Sequence, residues 1–244
     1  GFMNRTNVDA GYVEAGIGSA QLGAGRPREY TLAEMVKDLA EIPLEFSPGT
    51  AWNYSVSTDI LGHLIEVISG QRFDDFLRER IFEPLGMVDS GFSVAEDKVD
   101  RFAANYNRGG DGKLALVDDP AESAYLKPPT LLSGGGGLTA TSEDYWRFCQ
   151  MLLNGGEFNG ERIVGPKTIQ LMTLNHLQDG QDLSAVARGT FSETNNDGVG
   201  FGLGFAVVKD VARTQVSGSV GSYYWGGAAS TAFWVDPEED LTVV

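Results

Sequence analysis

Residues 46–70 read FSPGTAWNYSVSTDILGHLIEVISG, and this stretch carries the strongest fold signal in the chain. Ser47-Pro48-Gly49 has the composition of a turn. From Ile60 onward, apolar residues recur at helical spacing until Gly70, the expected C-terminal stop. The stretch therefore predicts a turn, a short segment that holds Tyr54, and a helix with one apolar face. That face comprises Ile60, Leu61, Leu64, Ile65 and Ile68.

Further helices are predicted on both sides of this stretch. Thr31 and Glu34 fit a capping box at the start of an apolar-periodic segment that Pro43 ends. Residues 73–82 form the next periodic segment. Thr141 is placed to cap a helix that contains Cys149 and stops at Gly155-Gly156, and Pro166 is placed to open a short helix. Most of the chain before residue 190 is thus expected to be helical.

Strand patterns dominate the end of the chain. Bulky residues alternate with small ones over residues 199–207, which predicts one strand with a single bulky face. Residues 224–235 and 241–244 predict two more strands around a turn at 236–240, and the turn at 107–112 joins two short strands. Helices before strands predict an α+β fold: a helical lobe of residues 1–190 packed on an antiparallel sheet built from residues 191–244.

Composition narrows the classes of function. The chain has 244 residues, a net charge of −16 and a pI of about 4.4, so it repels nucleic acids and anionic lipids. The sequence contains no run of 18 apolar residues, the length that a helix needs to span a membrane. Cys149 is the single cysteine, in an apolar run typical of a buried thiol, and His63 and His176 are interpreted as structural. We therefore expect neither a metal nor a cofactor. Cytoplasmic and periplasmic locations and the oligomeric state stay open.

Five segments in the same order resemble the serine β-lactamase and penicillin-binding-protein superfamily, and most closely its family VIII carboxylesterases. Spread over residues 46–237, they cover most of the chain. They are Phe46–Gly70, Pro84–Met87, Gly135–Asp144, Tyr224–Ala228 and Phe233–Pro237.

The nucleophile in this superfamily is the serine of a Ser-x-x-Lys motif. No serine of this chain has a lysine three positions later. The resemblance therefore implies that the sequence is part of a longer protein whose nucleophile precedes Gly1. These 244 residues alone are expected to be inactive.

The resemblance assigns roles to residues of two segments. Tyr54 is expected to be the general base, alone or coupled to the lysine of the nucleophile motif. The backbone N–H of Ala228 is expected to be one oxyanion donor. Gly226 and Gly227 would leave room for an acyl group that runs along the strand.

Two departures from the superfamily pattern favour esters as substrates. Penicillin-recognising members have Tyr-x-Asn where this chain has Tyr54-Ser55-Val56, and a cation where it has Trp225. An apolar wall of Trp225 and Val56 suits an uncharged acyl or alcohol group better than a carboxylate. The prediction is a serine carboxylesterase acting on short- to medium-chain esters. The alternatives are a β-lactamase or D-alanyl peptidase of the same fold, or a non-catalytic binding module.

Overall fold

A computed structural model describes residues 8–17, 30–188 and 196–244 of the chain. The α-helices of these ranges are Asp9–Ala15 (α1), Leu32–Ala40 (α2), Ser57–Ser69 (α3), Phe73–Leu77 (α4), Glu83–Leu85 (α5), Ser142–Leu153 (α6), Pro166–Met172 (α7), Leu183–Val186 (α8) and Val211–Thr214 (α9). A π-helical segment, Arg78–Phe82, joins α4 to α5, and 3₁₀ helices run over Glu96–Arg101, Ala124–Leu126 and Gln178–Gly180. The strands are Asn105–Arg108 (β1), Leu114–Asp118 (β2), Glu157–Phe158 (β3), Glu161–Arg162 (β4), Val199–Phe201 (β5), Ala206–Val208 (β6), Tyr223–Gly226 (β7), Ala232–Asp236 (β8) and Leu241–Val243 (β9).

Local signals place the helix ends where the sequence predicts them. The Thr31 hydroxyl accepts a hydrogen bond from the Glu34 N–H, and the Glu34 carboxylate accepts one from the Thr31 N–H, so the capping box is confirmed. Gly70 ends α3 in the left-handed region at φ 71°. Pro166 is the first residue of α7.

A five-stranded antiparallel sheet closes the chain, in the order β5-β6-β7-β8-β9. Helix α6 packs across one face of it. Cys149, Met151 and Leu152 of α6 are buried together with Tyr223 of β7 and Val235 of β8. The α+β class, with helices packed on an antiparallel sheet, is confirmed.

Two predicted single strands are hairpins, and glycines explain both. The predicted strand over 199–207 folds back as β5 and β6: the Gly202 N–H donates to the Phe205 carbonyl at 2.7 Å, and Gly204 has φ +104°. Alternation of bulky and small residues looks like one strand, but here glycine also forms the reversal. The predicted strand over 224–235 likewise divides into β7 and β8, which turn through residues 227–231.

Helix α3 lies with its apolar face outward. Leu61, Val67 and Ile68 are 54%, 67% and 76% exposed, while Asp59 and Gly62 on the opposite face are buried. The predicted helix is present, and most of its predicted apolar face is exposed. The buried face approaches its neighbours closely because Gly62 has no side chain: a Cβ there would lie 3.1 Å from the Phe73 ring and 3.2 Å from Leu32.

A turn of residues 133–137 packs on the first turn of α3. At Gly134 a Cβ would lie 2.4 Å from the carbonyl oxygen of Thr58, so only glycine fits. The Ser133 hydroxyl donates to the Asp59 carboxylate at 2.5 Å. This contact fixes where α3 begins, and hence where the preceding Tyr54 segment lies.

The boundary expected between residues 190 and 191 falls outside the described residues. Within the ranges that are described, no helix has both the length and the apolarity to cross a bilayer.

We predict that Gly134→Ala lowers the free energy of unfolding by about 2 kcal/mol or more, because backbone atoms cannot move away cheaply from the added methyl group. Urea unfolding of this chain measures the change. Gly110→Ala is the matched control, since a Cβ there meets nothing within 4 Å. Equal stability of the two variants would contradict the close approach at Gly134.

Candidate active site

Four aromatic rings meet where the Tyr54 segment reaches the sheet. Tyr54 and Trp225 of β7 stack with ring centroids 6.4 Å apart and planes 14° apart. Trp52 contacts Trp225 edge-on at 6.2 Å and Phe201 of β5 at 5.1 Å, and Phe201 also contacts Trp225 at 5.4 Å. These offset and edge-on contacts are the arrangements that aromatic pairs prefer. The predicted base and the predicted aromatic wall are thus neighbours.

Backbone hydrogen bonds fix the Tyr54 segment from its N-terminal side. The Trp52 N–H donates to the Val186 carbonyl at 2.9 Å, and the Arg188 N–H donates to the Trp52 carbonyl at 3.0 Å. Asn53 donates from its side chain to Glu45 at 2.8 Å. Because α3 begins at Ser57, Tyr54 lies between Trp52, which is fixed by backbone hydrogen bonds, and the start of a helix.

The surroundings of Tyr54 disfavour its phenolate. Burial raises the pKa of Tyr54, and the negative charge of Asp59 raises that pKa further. A tyrosine that works as a base near neutral pH needs a cation close by to offset both effects. A lysine beside Tyr54, as the superfamily resemblance implies, would act in that direction.

The predicted oxyanion donor lies in the exposed turn between β7 and β8. Gly227 donates to the Thr231 carbonyl at 2.8 Å, and Ser230 donates to the Gly227 carbonyl at 3.1 Å. Ala228 lies between them, three residues after Trp225, so their Cα atoms are at most about 10 Å apart. Trp225, Gly226, Gly227 and Ala228 therefore form one continuous strip that starts at the Tyr54 ring.

The two glycines of this strip differ in the room around them. A Cβ at Gly227 would lie 2.3 Å from the Thr231 hydroxyl, which gives this glycine a packing reason of its own. At Gly226, the nearest atom to a Cβ is the Thr231 carbonyl oxygen at 3.4 Å. Packing of the described residues therefore does not require glycine at 226.

Val56 does not face this strip. It is 4% exposed and packs in a core cluster with Leu32, Met35 and Phe73. Its contribution to a site is indirect, because it anchors the end of the Tyr54 segment just before α3.

Asp59 is the site neighbour that sequence reasoning missed. It is 3% exposed, accepts hydrogen bonds from Ser133 and Gly135 on Oδ1, and is the charged group that acts on Tyr54. Its signal was misleading: the polar face of an amphipathic helix normally faces water. The acidic residue five positions after Tyr54 is buried here instead.

The other candidate nucleophiles and ligands lie elsewhere. Burial raises the pKa of the Cys149 thiol to about 12. His176 contacts the Leu171 carbonyl through Nε2, and Nδ1 of His63 lies 3.5 Å from Glu66. Across the described ranges, no three His, Cys, Asp or Glu side chains cluster as metal ligands would.

Comparison with known proteins identifies the family. The profile of the Beta-lactamase family matches residues 13–244. The chain belongs to the beta-lactamase family. Its relatives include Protein Rv1367c of Mycobacterium tuberculosis, 34% identical over 209 residues, and Esterase EstB of Burkholderia gladioli, 28% identical over 231 residues. These matches cover 84% and 89% of this chain but 51% and 54% of the relatives.

Solved structures of other proteins share the fold of this chain. EstCE1, a hydrolase with promiscuous acyltransferase activity, superposes with a TM-score of 0.77 at 23% identity, over 97% of this chain and 60% of that protein. The simvastatin synthase LovD of Aspergillus terreus gives a TM-score of 0.68 at 24% identity, over 82% of this chain and 50% of that protein. The chain spans about half the length of the curated relatives that it matches. Its relatives are named as hydrolases of more than one kind, among them an esterase and a putative D-alanyl-D-alanine carboxypeptidase of Escherichia coli.

We predict that Cys149 in the native chain does not react with Ellman's reagent at pH 8, because the raised pKa keeps the thiol protonated and burial blocks access. In denaturing urea, one thiol should react for each chain. Cys149→Ser should be silent in both conditions. Fast reaction of the native thiol would reopen Cys149 as a candidate nucleophile.

Proposed function

We propose that the whole protein is a serine carboxylesterase that hydrolyses short- to medium-chain esters through an acyl-enzyme. The stacking of Tyr54 on Trp225 is the observation that carries the proposal, because it puts a titratable phenol against an apolar wall. The nucleophile is the serine of a Ser-x-x-Lys motif outside these 244 residues. Relatives named as esterases, EstB and the lovastatin esterase of Penicillium rubens, support the same chemistry.

The proposed reaction has two halves. Tyr54, coupled to the lysine, accepts the serine proton while the serine oxygen attacks the ester carbonyl carbon. The oxyanion that forms accepts hydrogen bonds from the N–H of the serine and the N–H of Ala228. Collapse expels the alcohol, which takes up the proton. Water then attacks the acyl carbon while Tyr54 takes up a proton from it. The bond between that carbon and the serine oxygen breaks, the serine oxygen takes the proton from Tyr54, and the carboxylic acid leaves.

Trp225 favours an ester over a β-lactam or a D-alanyl peptide. Those two substrates carry a carboxylate, and a cationic residue at the position of Trp225 would bind it. Here Trp225 contacts Trp52, Tyr54 and Phe201 at that place. A cluster of aromatic rings offers dispersion and apolar contact but no cationic partner for an anion. Acidic residues outnumber basic ones by 34 to 18, which adds repulsion.

The apolar face of α3 gives the proposal its second support. Leu61, Leu64, Val67 and Ile68 form a continuous exposed stripe on the helix that begins three residues after Tyr54. Exposed apolar stripes of this kind mark surfaces that pack against other polypeptide. We propose that the segment with the Ser-x-x-Lys motif covers this stripe and so brings its serine and lysine to Tyr54.

In the whole protein, we predict that Tyr54→Phe lowers kcat for p-nitrophenyl butyrate by about 10²- to 10⁴-fold, since general-base catalysis is lost. Tyr106→Phe, at an exposed residue of β1, should leave kcat unchanged.

A fluorophosphonate should form one covalent adduct with the whole protein, on the serine of the Ser-x-x-Lys motif. Absence of the adduct would refute the serine mechanism. Faster turnover of a chromogenic cephalosporin than of the ester would favour the β-lactamase alternative.

We predict that Leu64→Gln changes the free energy of unfolding of this chain by less than about 0.5 kcal/mol, because the side chain is half exposed. The same substitution in the whole protein should cost about 2 kcal/mol or more, because the proposed segment buries Leu64. Urea unfolding of both forms measures the difference. Equal costs in the two forms would contradict the proposed packing on α3.

A further inference from the structure

One buried carboxylate of the site region has an oxygen without a partner. Oδ1 of Asp59 accepts from the Ser133 hydroxyl at 2.5 Å and from the Gly135 N–H at 3.4 Å. Oδ2 is fully buried and, among the described residues, no group donates a hydrogen bond to it. Nor does any cation of these residues pair with Asp59. Buried carboxylates are normally satisfied, so one that is not requires a reason.

The stability of the fold does not explain why position 59 has an aspartate with a partnerless oxygen. Asparagine at this position could accept the same two hydrogen bonds through its carbonyl oxygen without a buried charge. Aspartate near the start of a helix gains from the helix dipole, but that gain is available on the surface as well. A buried group that costs stability is more often kept for function.

The position of Asp59 supplies the functional reason. It lies in the first turn of α3, whose Thr58 carbonyl packs on Gly134, and the Tyr54 segment leads directly into this turn. We propose that Asp59 is a positioning residue for Tyr54, tying the start of α3 to the 133–137 turn through a charged side chain where a neutral one would suffice for the fold. This inference rests on the proposed role of Tyr54 as the base.

The charge gives Asp59 a second effect on Tyr54. Among the described residues Oδ2 has neither a cation nor a hydrogen-bond donor beside it, so no opposite charge of these residues cancels the negative charge, which acts on Tyr54 through a poorly polarisable interior. It raises the pKa of the phenol, after the larger effect of burial. Asp59 therefore favours the protonated phenol, so the phenolate that would act as the base is less populated at a given pH than it would be without this charge. The lysine of the Ser-x-x-Lys motif would oppose this effect.

Ionisable groups on the packed elements do not replace Asp59 in this role. On α3, His63 lies one turn further and faces Glu66. On α4, Asp74 is paired with Arg72, and on α2, Glu34 is engaged in the capping box. Residues 133–137 and residues 225–228 contain no ionisable side chain. Asp59 is the charged group among the described residues that shifts the Tyr54 pKa.

Two variants separate charge from packing. Asp59→Asn keeps an acceptor for Ser133 and Gly135 but removes the charge, and Ser133→Ala removes a hydrogen bond but keeps the charge. The phenol of Tyr54 is titrated in this chain by absorbance at 295 nm, as the difference between each variant with and without Tyr54→Phe. This readout needs no catalysis, so it succeeds or fails independently of the esterase proposal.

The sign of the expected shift follows from the charge. Removing a negative charge stabilises the phenolate, so Asp59→Asn should lower the Tyr54 midpoint by about half a pH unit or more. Ser133→Ala keeps the charge, so it should lower the midpoint by clearly less than Asp59→Asn does. In the whole enzyme, the acid limb of kcat/KM should move to lower pH in Asp59→Asn alone. An unmoved midpoint in Asp59→Asn, or an equal shift in both variants, would overturn the inference.

Discussion

The contact between the first turn of α3 and the turn at residues 133–137 determines where the candidate site can form. Gly134 admits the Thr58 carbonyl at a distance that no other residue would allow, and Ser133 binds the Asp59 carboxylate beside it. These two contacts define the starting point of α3. Since Tyr54 is only three residues upstream of the helix, its ring has little freedom once α3 is in place. Its stacking on Trp225 then follows from the docking of α3 and from the bonds that pin Trp52.

The sheet contributes the other half of the site through a hairpin. Tyr223 and Val235 bury one face of β7 and β8 against α6, which fixes the pair of strands. Trp225, in the same strand, contacts Tyr54, and the chain then turns through Gly227 and Ala228, which are exposed. A rigid strand thus presents an aromatic ring and, directly after it, an exposed backbone segment. Backbone N–H groups held by a rigid element are what oxyanion stabilisation requires.

The sequence allowed local signals to be predicted well and relative placement poorly. Thr31, Gly70 and Pro166 mark helix ends through interactions within a few residues, so the pattern alone was sufficient. The hairpins at 199–208 and 223–236 were missed because glycine serves both as a small strand residue and as a turn residue. Val56 and Asp59 were harder still. Which of them faces a site depends on how α3 is rotated, and rotation is set by Gly62 and Gly134, whose role is visible only through atoms distant in sequence.

The apolar and polar faces of helix α3 are placed opposite to the usual arrangement, in which the apolar face packs on the core. Its apolar residues face outward, and the buried carboxylate of Asp59 has one oxygen without a donor among the described residues. Either feature alone would lower the stability of a self-contained domain, and the two occur on opposite faces of one helix. Both are accounted for if α3 separates the described core from the segment that carries the nucleophile. The outer face then packs against that segment, while the inner face holds a charge that favours the protonated form of Tyr54. In this proposal the segment with the Ser-x-x-Lys motif has two effects when it packs on α3. The segment buries the exposed apolar stripe, and the charge of its lysine offsets that of Asp59. Assembly of the site and activation of its base would then be one event, which explains why a buried charge is tolerated at a position where the fold does not need it.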